Sequence, residues 1–236
     1  MILALSTSTP QFGAAVMTLE GAVLGEVASG VARRHFRGFM PAVEHLIDSC
    51  GGSLDGLEAI VAARGPGSFT GLRVGLAAAK GVAHGLGVPV VGVSSLEALA
   101  RRIPFSDLPV CAVIDSRRGE LFCGLYHRSA SGTLTALADE DCVPEADLPR
   151  RIEMPTVFVG NDHARQAPLI RELLGDRAVP APAELWHPAA SAVGALGLER
   201  LRRGETDDLR DLVPAYFRPP DIRTGPAQKP LEGRDP

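Results

Sequence analysis

The stretch that most constrains the fold of this chain is a glycine-rich turn, GPGSFTGLR at residues 65–73, between an apolar run and a helical pattern. Residues 57–63 have the composition of a buried strand, and residues 72–86 repeat apolar side chains at helical spacing. Gly65 and Gly67 permit positive φ or close backbone approach, and Ser68 or Thr70 can cap the helix. A strand, a glycine turn and a helix N-terminus together predict either a tight structural turn or a site for an anion.

The turn matches neither strict phosphate-binding template. The Walker A pattern requires Gly-Lys-Ser/Thr after its first glycine at a fixed distance, and residues 65–73 contain no lysine. The dinucleotide spacing G-x-G-x-x-G fails by one position, because Thr70 occupies the place of the third glycine. The structural and the phosphate-binding interpretations therefore both stay open at this point.

The helical pattern after the turn has two apolar sides. One side carries the larger residues Leu72, Leu76, Ala79, Ala83 and Leu86. The other side carries the small residues Gly71, Gly75, Ala78, Val82 and Gly85. Since each glycine inside a helix costs about 1 kcal/mol relative to alanine, we expect close packing on this second side as well. The second side then contacts either the rest of the same domain or a partner.

Strand and helix patterns alternate along the chain and predict an α/β fold. Strands are predicted at 2–5, 12–18, 22–28, 57–63, 89–93, 110–115, 120–127, 133–138 and 156–160, and helices at 36–50, 72–86, 94–103, 163–174 and from 188. The hairpin pattern of residues 2–18 returns at 110–127, which suggests two lobes with a duplicated fold. A last extended piece is predicted at 213–217, and prolines and charges predict a flexible tail at 219–236.

Composition argues against several classes of function. A formal net charge of −4 argues against autonomous binding of nucleic acid, which needs a basic surface. The four cysteines lack a C-x-x-C spacing and the six histidines lack paired metal-ligand spacing, so we expect reduced thiols and no metal. No apolar run could span a bilayer and no basic leader precedes the first strand. We therefore expect a cytoplasmic protein with no membrane contact.

Two positions bear on whether the chain could process a nucleotide. Asp115 ends the first strand of the second hairpin, where a two-lobed phosphotransferase would hold a carboxylate for magnesium. Ser6 ends the corresponding strand of the first hairpin, and its hydroxyl cannot replace that charge. Asp115 is interpreted either as part of such a site or as a turn-forming aspartate. We expect no catalytic residue and no cofactor.

Three strings of the sequence resemble one known family. They are GPGSFTGLRVG at 65–75, GVSSL at 92–96 and IDSRRGELF at 114–122, supported by residues 2–9 and 214–218. They resemble the TsaB family, the dimerisation subunit of the bacterial machinery that makes threonylcarbamoyladenosine in tRNA. The resemblance covers about residues 1–218 and is weakest between about 130 and 190. Family members commonly have aspartate where this chain has Ser6, which weakens the case for independent nucleotide hydrolysis.

The resemblance implies a two-lobed actin-like, sugar kinase-like fold with a duplicated mixed-sheet core. We expect an N-terminal lobe at 1–103, completed by a returning helix at about 188–218, and a C-terminal lobe at 104–187. The implied function is that of a non-catalytic subunit that dimerises with TsaD, the subunit that transfers the threonylcarbamoyl group. The resemblance further implies that TsaE docks on this heterodimer, that tRNA is contacted only through the complex, and that a homodimer can form without TsaD.

The resemblance also implies a docking surface on two helices, the one after residue 36 and the one after Thr70. Its expected residues are Phe36, Phe39, Met40, Val43, Ile47, Gly71, Gly75, Ala78 and Val82. A vestigial phosphate-type loop is expected from Gly65, Gly67, Ser68, Thr70 and Asp115. The alternative function is a residual ATP-dependent kinase or ATPase of the same superfold. A glycoprotease is a third interpretation, weakened by the lack of metal ligands in the sequence.

Overall fold

The computed structural model describes residues 1–29, 38–116, 118–129 and 132–217. Its strands are β1 (Ile2–Ser6), β2 (Phe12–Met17), β3 (Val23–Ser29), β4 (Ala59–Gly65), β5 (Val90–Ser94), β6 (Val110–Asp115), β7 (Glu120–Arg128), β8 (Leu134–Ala136), β9 (Asp141–Pro144), β10 (Thr156–Gly160) and β11 (Ala178–Pro180). Its α-helices are α1 (Phe39–Ser49), α2 (Phe69–Leu86), α3 (Ser95–Arg101), α4 (His163–Leu174) and α5 (Ala190–Arg202).

Two mixed sheets with the same topology form the centre of the molecule. The first has the strand order β3-β2-β1-β4-β5, and the second has the order β8-β7-β6-β10-β11, with β9 also paired to β7. In each sheet the first strand of an antiparallel hairpin also pairs in parallel with a third strand, which in turn pairs in parallel with the strand at the sheet edge. The predicted two-lobed α/β fold with a duplicated mixed-sheet core is confirmed.

The first sheet separates two apolar cores, because successive side chains of a strand point to opposite faces. On one face Leu3 and Ile60 belong to a buried cluster with Phe39 of α1 and with apolar residues of α2. On the other face Ile2 belongs to a cluster with Val193 of α5. Helices α1 and α2 therefore lie side by side on one face of the sheet, and α5 lies on the other.

The last helix of each lobe packs against the sheet of the other lobe. Helix α3 follows the first sheet, yet its Leu99 lies in one buried cluster with Val113 and Phe158 of the second sheet. Helix α5 follows the second sheet, yet its Val193 and Leu196 pack with residues of β1, β2, β4 and β5. The two lobes thus exchange their last helices.

Most predicted helices and strands are confirmed to within a few residues, and the differences have simple causes. The sequence pattern predicts neither β9, which has four residues and is exposed at both ends, nor β11, which has three residues and ends at Pro180. Residues 213–217 form no strand, although the amide of Ala215 donates to the carbonyl oxygen of Arg64 at 2.8 Å. Phe36 and the predicted tail at 219–236 lie outside the described residues.

Candidate functional site

The turn between β1 and β2 is polar and buried. Ser6, Thr7, Ser8 and Thr9 are each 7% exposed or less. The carbonyl oxygen of Ser8 accepts a hydrogen bond from the amide of Ser68, at 2.7 Å. Within the described part of the chain, the hydroxyl oxygens of Ser6 and Ser8 have no hydrogen-bond partner. The glycine-rich stretch packs directly against this turn.

Three glycines, two in the stretch and one just after it, are required by that packing. A β-carbon added to Gly67 would overlap the Ser8 carbonyl, one added to Gly71 would overlap the Thr7 carbonyl, and one added to Gly75 would overlap the Thr7 hydroxyl. The Gly67 φ of +155° adds a second constraint at that position. The glycine spacing of this stretch therefore has an intramolecular cause, the close approach of α2 to the first hairpin.

The predicted helix cap is Ser68, whose hydroxyl oxygen accepts a hydrogen bond from the amide of Gly71 at 3.3 Å. Thr70, the other candidate, lies inside the first turn of α2 and is exposed. Gly65 has a φ of +124° and lies against the backbone of Ala215, where an added β-carbon would be 2.9 Å from the carbonyl oxygen. Gly65 therefore accommodates the C-terminal segment, and it does not line a cleft.

Asp115 lies at the end of β6, in the second lobe, and its carboxylate is held by a neighbouring cation. Its Oδ2 is 2.8 Å from Nη1 of Arg165, and the same guanidinium bridges to Oε1 of Glu145 at 2.6 Å. The backbone amide of Asp115 donates to Oδ1 of Asn161 at 3.0 Å. The guanidinium of Arg165 thus occupies the Oδ2 side of this carboxylate.

A buried amide network fixes the end of β10 beside Asp115. Gln166 is fully buried, and its Oε1 accepts hydrogen bonds from the amides of Asn161 and Asp162 at 3.1 and 3.0 Å. Its Nε2 donates to Oδ1 of Asn161 at 3.1 Å. These residues are absent from the sequence-based prediction. The signal that could have found them is the turn Gly160-Asn161-Asp162, which joins a strand to a helix as the glycine-rich stretch does.

A cleft of about 700 Å³ separates the two lobes at these turns. Of the residues predicted for a phosphate-type site, the structure brings together Gly67, Ser68, Thr70 and Asp115 in its lining. Phe69 lines it from the first lobe, and Phe122, His163 and Trp186 line it from the second. Among the described residues, the first-lobe part of the lining carries hydroxyl and amide groups but no charged side chain.

The chemistry available around the cleft is limited. The described residues contain no group of three or more His, Cys, Asp or Glu side chains that could hold a metal ion. Burial raises the pKa of the Cys142 thiol, which donates to Oε2 of Glu120 at 3.3 Å, so this neighbouring cysteine is not a ready thiolate nucleophile. The cleft walls can donate and accept hydrogen bonds and stack on a planar group.

The residues predicted to contact a partner divide into buried and accessible ones. Phe39, Val43 and Ile47 are at most 1% exposed and belong to the core under α1, and Gly71 and Gly75 are buried against the first hairpin. In the single chain these five pack against their own fold. Met40, Ala78 and Val82 are partly exposed, and Phe36 lies outside the described residues.

The accessible side of α2 is lined by small residues. A continuous set, which we call the small-residue face, consists of Val74, Ala77, Ala78, Gly81, Val82 and Gly85. A β-carbon added to Gly81 or Gly85 would meet nothing within 4 Å, so these two glycines are open to the outside. Packing within the described chain therefore requires glycine at position 75 but not at positions 81 and 85.

Among the described residues, no helix combines the length and the apolar character that crossing a membrane requires.

Comparison with known proteins identifies relatives over nearly the whole chain. The family model described as TsaD, tRNA N6-adenosine threonylcarbamoyltransferase, matches residues 20–223. A Bacillus subtilis (strain 168) protein named tRNA threonylcarbamoyladenosine biosynthesis protein TsaB is 34% identical over 220 residues, which cover 92% of this chain and 93% of the relative. The Escherichia coli (strain K12) protein of the same name is 28% identical over 208 residues, covering 86% and 87%.

A solved structure shares the fold. The structure described as YeaZ from Pseudomonas aeruginosa is 30% identical in sequence and superposes with a TM-score of 0.76. The superposition covers 91% of this chain and 98% of that one, so the shared fold extends over both lobes.

Proposed function

The chain belongs to the TsaB family of tRNA threonylcarbamoyladenosine biosynthesis proteins, and we propose that it acts there as a non-catalytic subunit that dimerises with TsaD. The single observation that carries this proposal is the small-residue face of α2. Two of its glycines, Gly81 and Gly85, lie on an open helix surface although glycine lowers helix stability there. Small residues on an exposed helix allow a second helix to approach closely.

TsaD is the partner that the fold favours. The family model that matches residues 20–223 is described as TsaD, so the two proteins share a common architecture. Related chains can present equivalent helices to each other across an approximate two-fold axis, as identical chains do across an exact one. The same reasoning allows the chain to pair with a second copy of itself when TsaD is absent. We propose that TsaE then binds the heterodimer and that tRNA is contacted only through the complex.

The cleft supports a role without catalysis by this chain. Asp115 is paired with Arg165 at 2.8 Å, and Ser6 occupies the end of the equivalent strand in the first lobe. Neither arrangement supplies a free carboxylate to a magnesium–nucleotide complex. A residual kinase or ATPase activity is tested by calorimetry with magnesium–ATP on the isolated chain, and micromolar binding with turnover would replace our proposal.

The docking experiment uses matched arginine substitutions on two equivalent helices. Ala77→Arg and Gly81→Arg place a long charged side chain on the small-residue face of α2. Ala164→Arg places it at an exposed position of α4, the helix that occupies the same place in the second lobe. All three side chains project outward, so we expect thermal melting to change by no more than about 2 °C, as for ordinary surface substitutions.

Affinity for purified TsaD is then measured by isothermal titration calorimetry. We expect Ala77→Arg and Gly81→Arg to weaken binding about 100-fold or more, and Ala164→Arg to bind like the wild type. Formation of threonylcarbamoyladenosine in a mixture with TsaD, TsaE and tRNA should fall with the affinity. Unchanged affinity in both α2 variants would refute the proposed surface.

A further inference from the structure

The last described segment of the chain, residues 213–217, contacts a cleft-lining residue of each lobe. The amide of Ala215 donates to the carbonyl oxygen of Arg64 at 2.8 Å, which fixes the segment at the end of β4. The next two residues are aromatic. Tyr216 and Phe217 are adjacent in sequence but contact opposite lobes.

Tyr216 is bound to the first turns of α2. Its ring stacks on Phe69, with the ring centroids 5.3 Å apart and the planes inclined by 29°. Its hydroxyl oxygen accepts a hydrogen bond from Nε of Arg73 at 2.9 Å, and the Arg73 guanidinium lies 3.8 Å from the centroid of Phe69. Ring stacking, cation–π attraction and a hydrogen bond together hold this residue to the first lobe.

Phe217 contacts the second lobe. Its ring meets Phe122 edge to face, with centroids 6.0 Å apart and planes inclined by 81°. Phe122 lies on β7 and lines the cleft, and Phe217 packs on the buried cluster of the second sheet. Phe69 lines the same cleft from the other side. A single dipeptide therefore joins the two walls.

We propose that residues 213–217 form a strap that limits the separation of the two lobes and transmits it to the first turns of α2. If the lobes move apart, either the contact between Phe217 and Phe122 or the contacts of Tyr216 on α2 must break, because adjacent residues cannot follow walls that diverge. Tyr216 and Phe69 are 42% and 46% exposed, so the first-lobe contacts are the more accessible to water. The link from α2 to partner affinity rests on the proposed function, whereas the link between the lobes does not.

The chain contains a built-in probe for this proposal. Trp186 is its one tryptophan, is 3% exposed, and lines the cleft. Quenching of Trp186 fluorescence by acrylamide therefore reports how far the cleft opens. The variants to compare are Phe217→Ala, which releases the second lobe, and Val213→Ala, a control in the same segment whose side chain is 60% exposed.

We expect the Stern–Volmer constant for Trp186 to rise at least twofold in Phe217→Ala and to stay at the wild-type value in Val213→Ala. Unchanged quenching in Phe217→Ala would overturn the strap. If Phe217→Ala melts well below the wild type, Tyr216→Ala replaces it, because that side chain lies outside the cores. Faster hydrogen exchange of the amides at 69–74 in Tyr216→Ala supports the strap, and wild-type exchange there refutes it.

The second half of the proposal is tested by affinity for TsaD. We expect Phe217→Ala to weaken binding about threefold to tenfold although it leaves the small-residue face intact. Equal affinity, together with increased quenching, would overturn the coupling to α2 and leave the strap between the lobes. If the wild-type chain does not bind TsaD at all, the proposed function fails, and the quenching result still decides the strap.

Discussion

Thr7, in the turn after the first strand, fills the space in which Gly75 of α2 would carry a side chain. The contact joins the first hairpin to the middle of a helix that begins more than sixty positions later in the chain. Gly75 is therefore part of the fold of the single chain, and substitutions there cannot serve to test a docking surface.

We predict that Gly75→Ala destabilises the chain by about 1–3 kcal/mol, because an added methyl group overlaps Oγ1 of Thr7 and overpacking of this kind costs that much. Urea unfolding followed by circular dichroism measures the change. Gly81→Ala is the control on the same helix. An added methyl group meets nothing there, so we expect a gain of up to about 1 kcal/mol.

A second substitution shows whether contact with Thr7 causes the loss of stability in Gly75→Ala. Thr7→Ala removes the hydroxyl and methyl groups that Gly75→Ala would meet. In a double-mutant cycle, Thr7→Ala should recover at least half of the loss caused by Gly75→Ala. Strict additivity of the two changes would contradict the steric explanation.

Asp207 connects the C-terminal segment by a hydrogen bond to β5, the edge strand of the first sheet. Its Oδ2 accepts hydrogen bonds from the amide of Gly92 at 2.7 Å and from Nη1 of Arg200 at 3.0 Å. We predict that Asp207→Ala costs about 2–4 kcal/mol, because it leaves a partly buried amide and a partly buried guanidinium without this acceptor. Differential scanning calorimetry measures the loss. Asp211→Ala, at an exposed position nearby, should stay within about 0.5 kcal/mol of the wild type.

His187 should make stability depend on pH. Its Nε2 lies 2.6 Å from Nη1 of Arg102, at the end of α3. Burial and, second, the charge of Arg102 lower the pKa of His187 below its ordinary value of 6.5, although the nearby carboxylate of Glu26 acts in the opposite direction. The unfolded chain therefore binds more protons than the folded chain when the pH falls below about 6.5.

We accordingly predict that His187 contributes its full share of the folding free energy above its ordinary pKa of 6.5. This contribution is lost as the pH falls through the lowered pKa that His187 has in the folded chain. His187→Gln keeps a neutral group and should flatten the melting temperature between about pH 7 and pH 5. The difference between wild type and variant isolates His187 from other titrating groups. Parallel curves over that interval would show that this histidine does not contribute.

Glu97 should make stability depend on pH in the opposite direction to His187. Burial raises its pKa above the ordinary value of 4.5, and the carboxylates of Glu140 and Glu199 raise it further. The folded chain therefore holds the proton more tightly, so this group favours folding at low pH and opposes it once it is ionised. We predict that Glu97→Gln raises the melting temperature by about 1–3 °C at pH 7 and has little effect at pH 4. Glu44→Gln, on the exposed side of α1, is the surface control and should leave stability within about 0.5 kcal/mol of the wild type at pH 7.

The duplicated architecture was predictable because it depends on local pattern. Apolar strands and tight turns recur at residues 2–18 and at 110–127, and both copies form antiparallel hairpins in sheets of equivalent order. Hydrophobic periodicity also predicts α2 and α4, since each presents an apolar stripe to a sheet.

The candidate site was predictable only in part, because contacts between distant segments leave no local pattern. The small residues of α2 look alike in sequence, yet Gly71 and Gly75 pack on the first hairpin whereas Gly81 and Gly85 are open. Periodicity cannot distinguish these cases. Likewise, the carboxylate of Asp115 is recognisable at a strand end, but its pairing with Arg165 depends on how β6 and β10 are aligned.

The exchange of α3 and α5 between the lobes means that neither half of the polypeptide encloses its own interior. A gene divided between residues 103 and 110 would yield two pieces, each with a sheet stripped of a covering helix that the other piece carries. Such pieces should be insoluble when made separately and should reassemble when made together. In the intact protein each lobe depends on a helix from the other half of the chain. Both lobes should therefore unfold together on heating and give a single calorimetric peak.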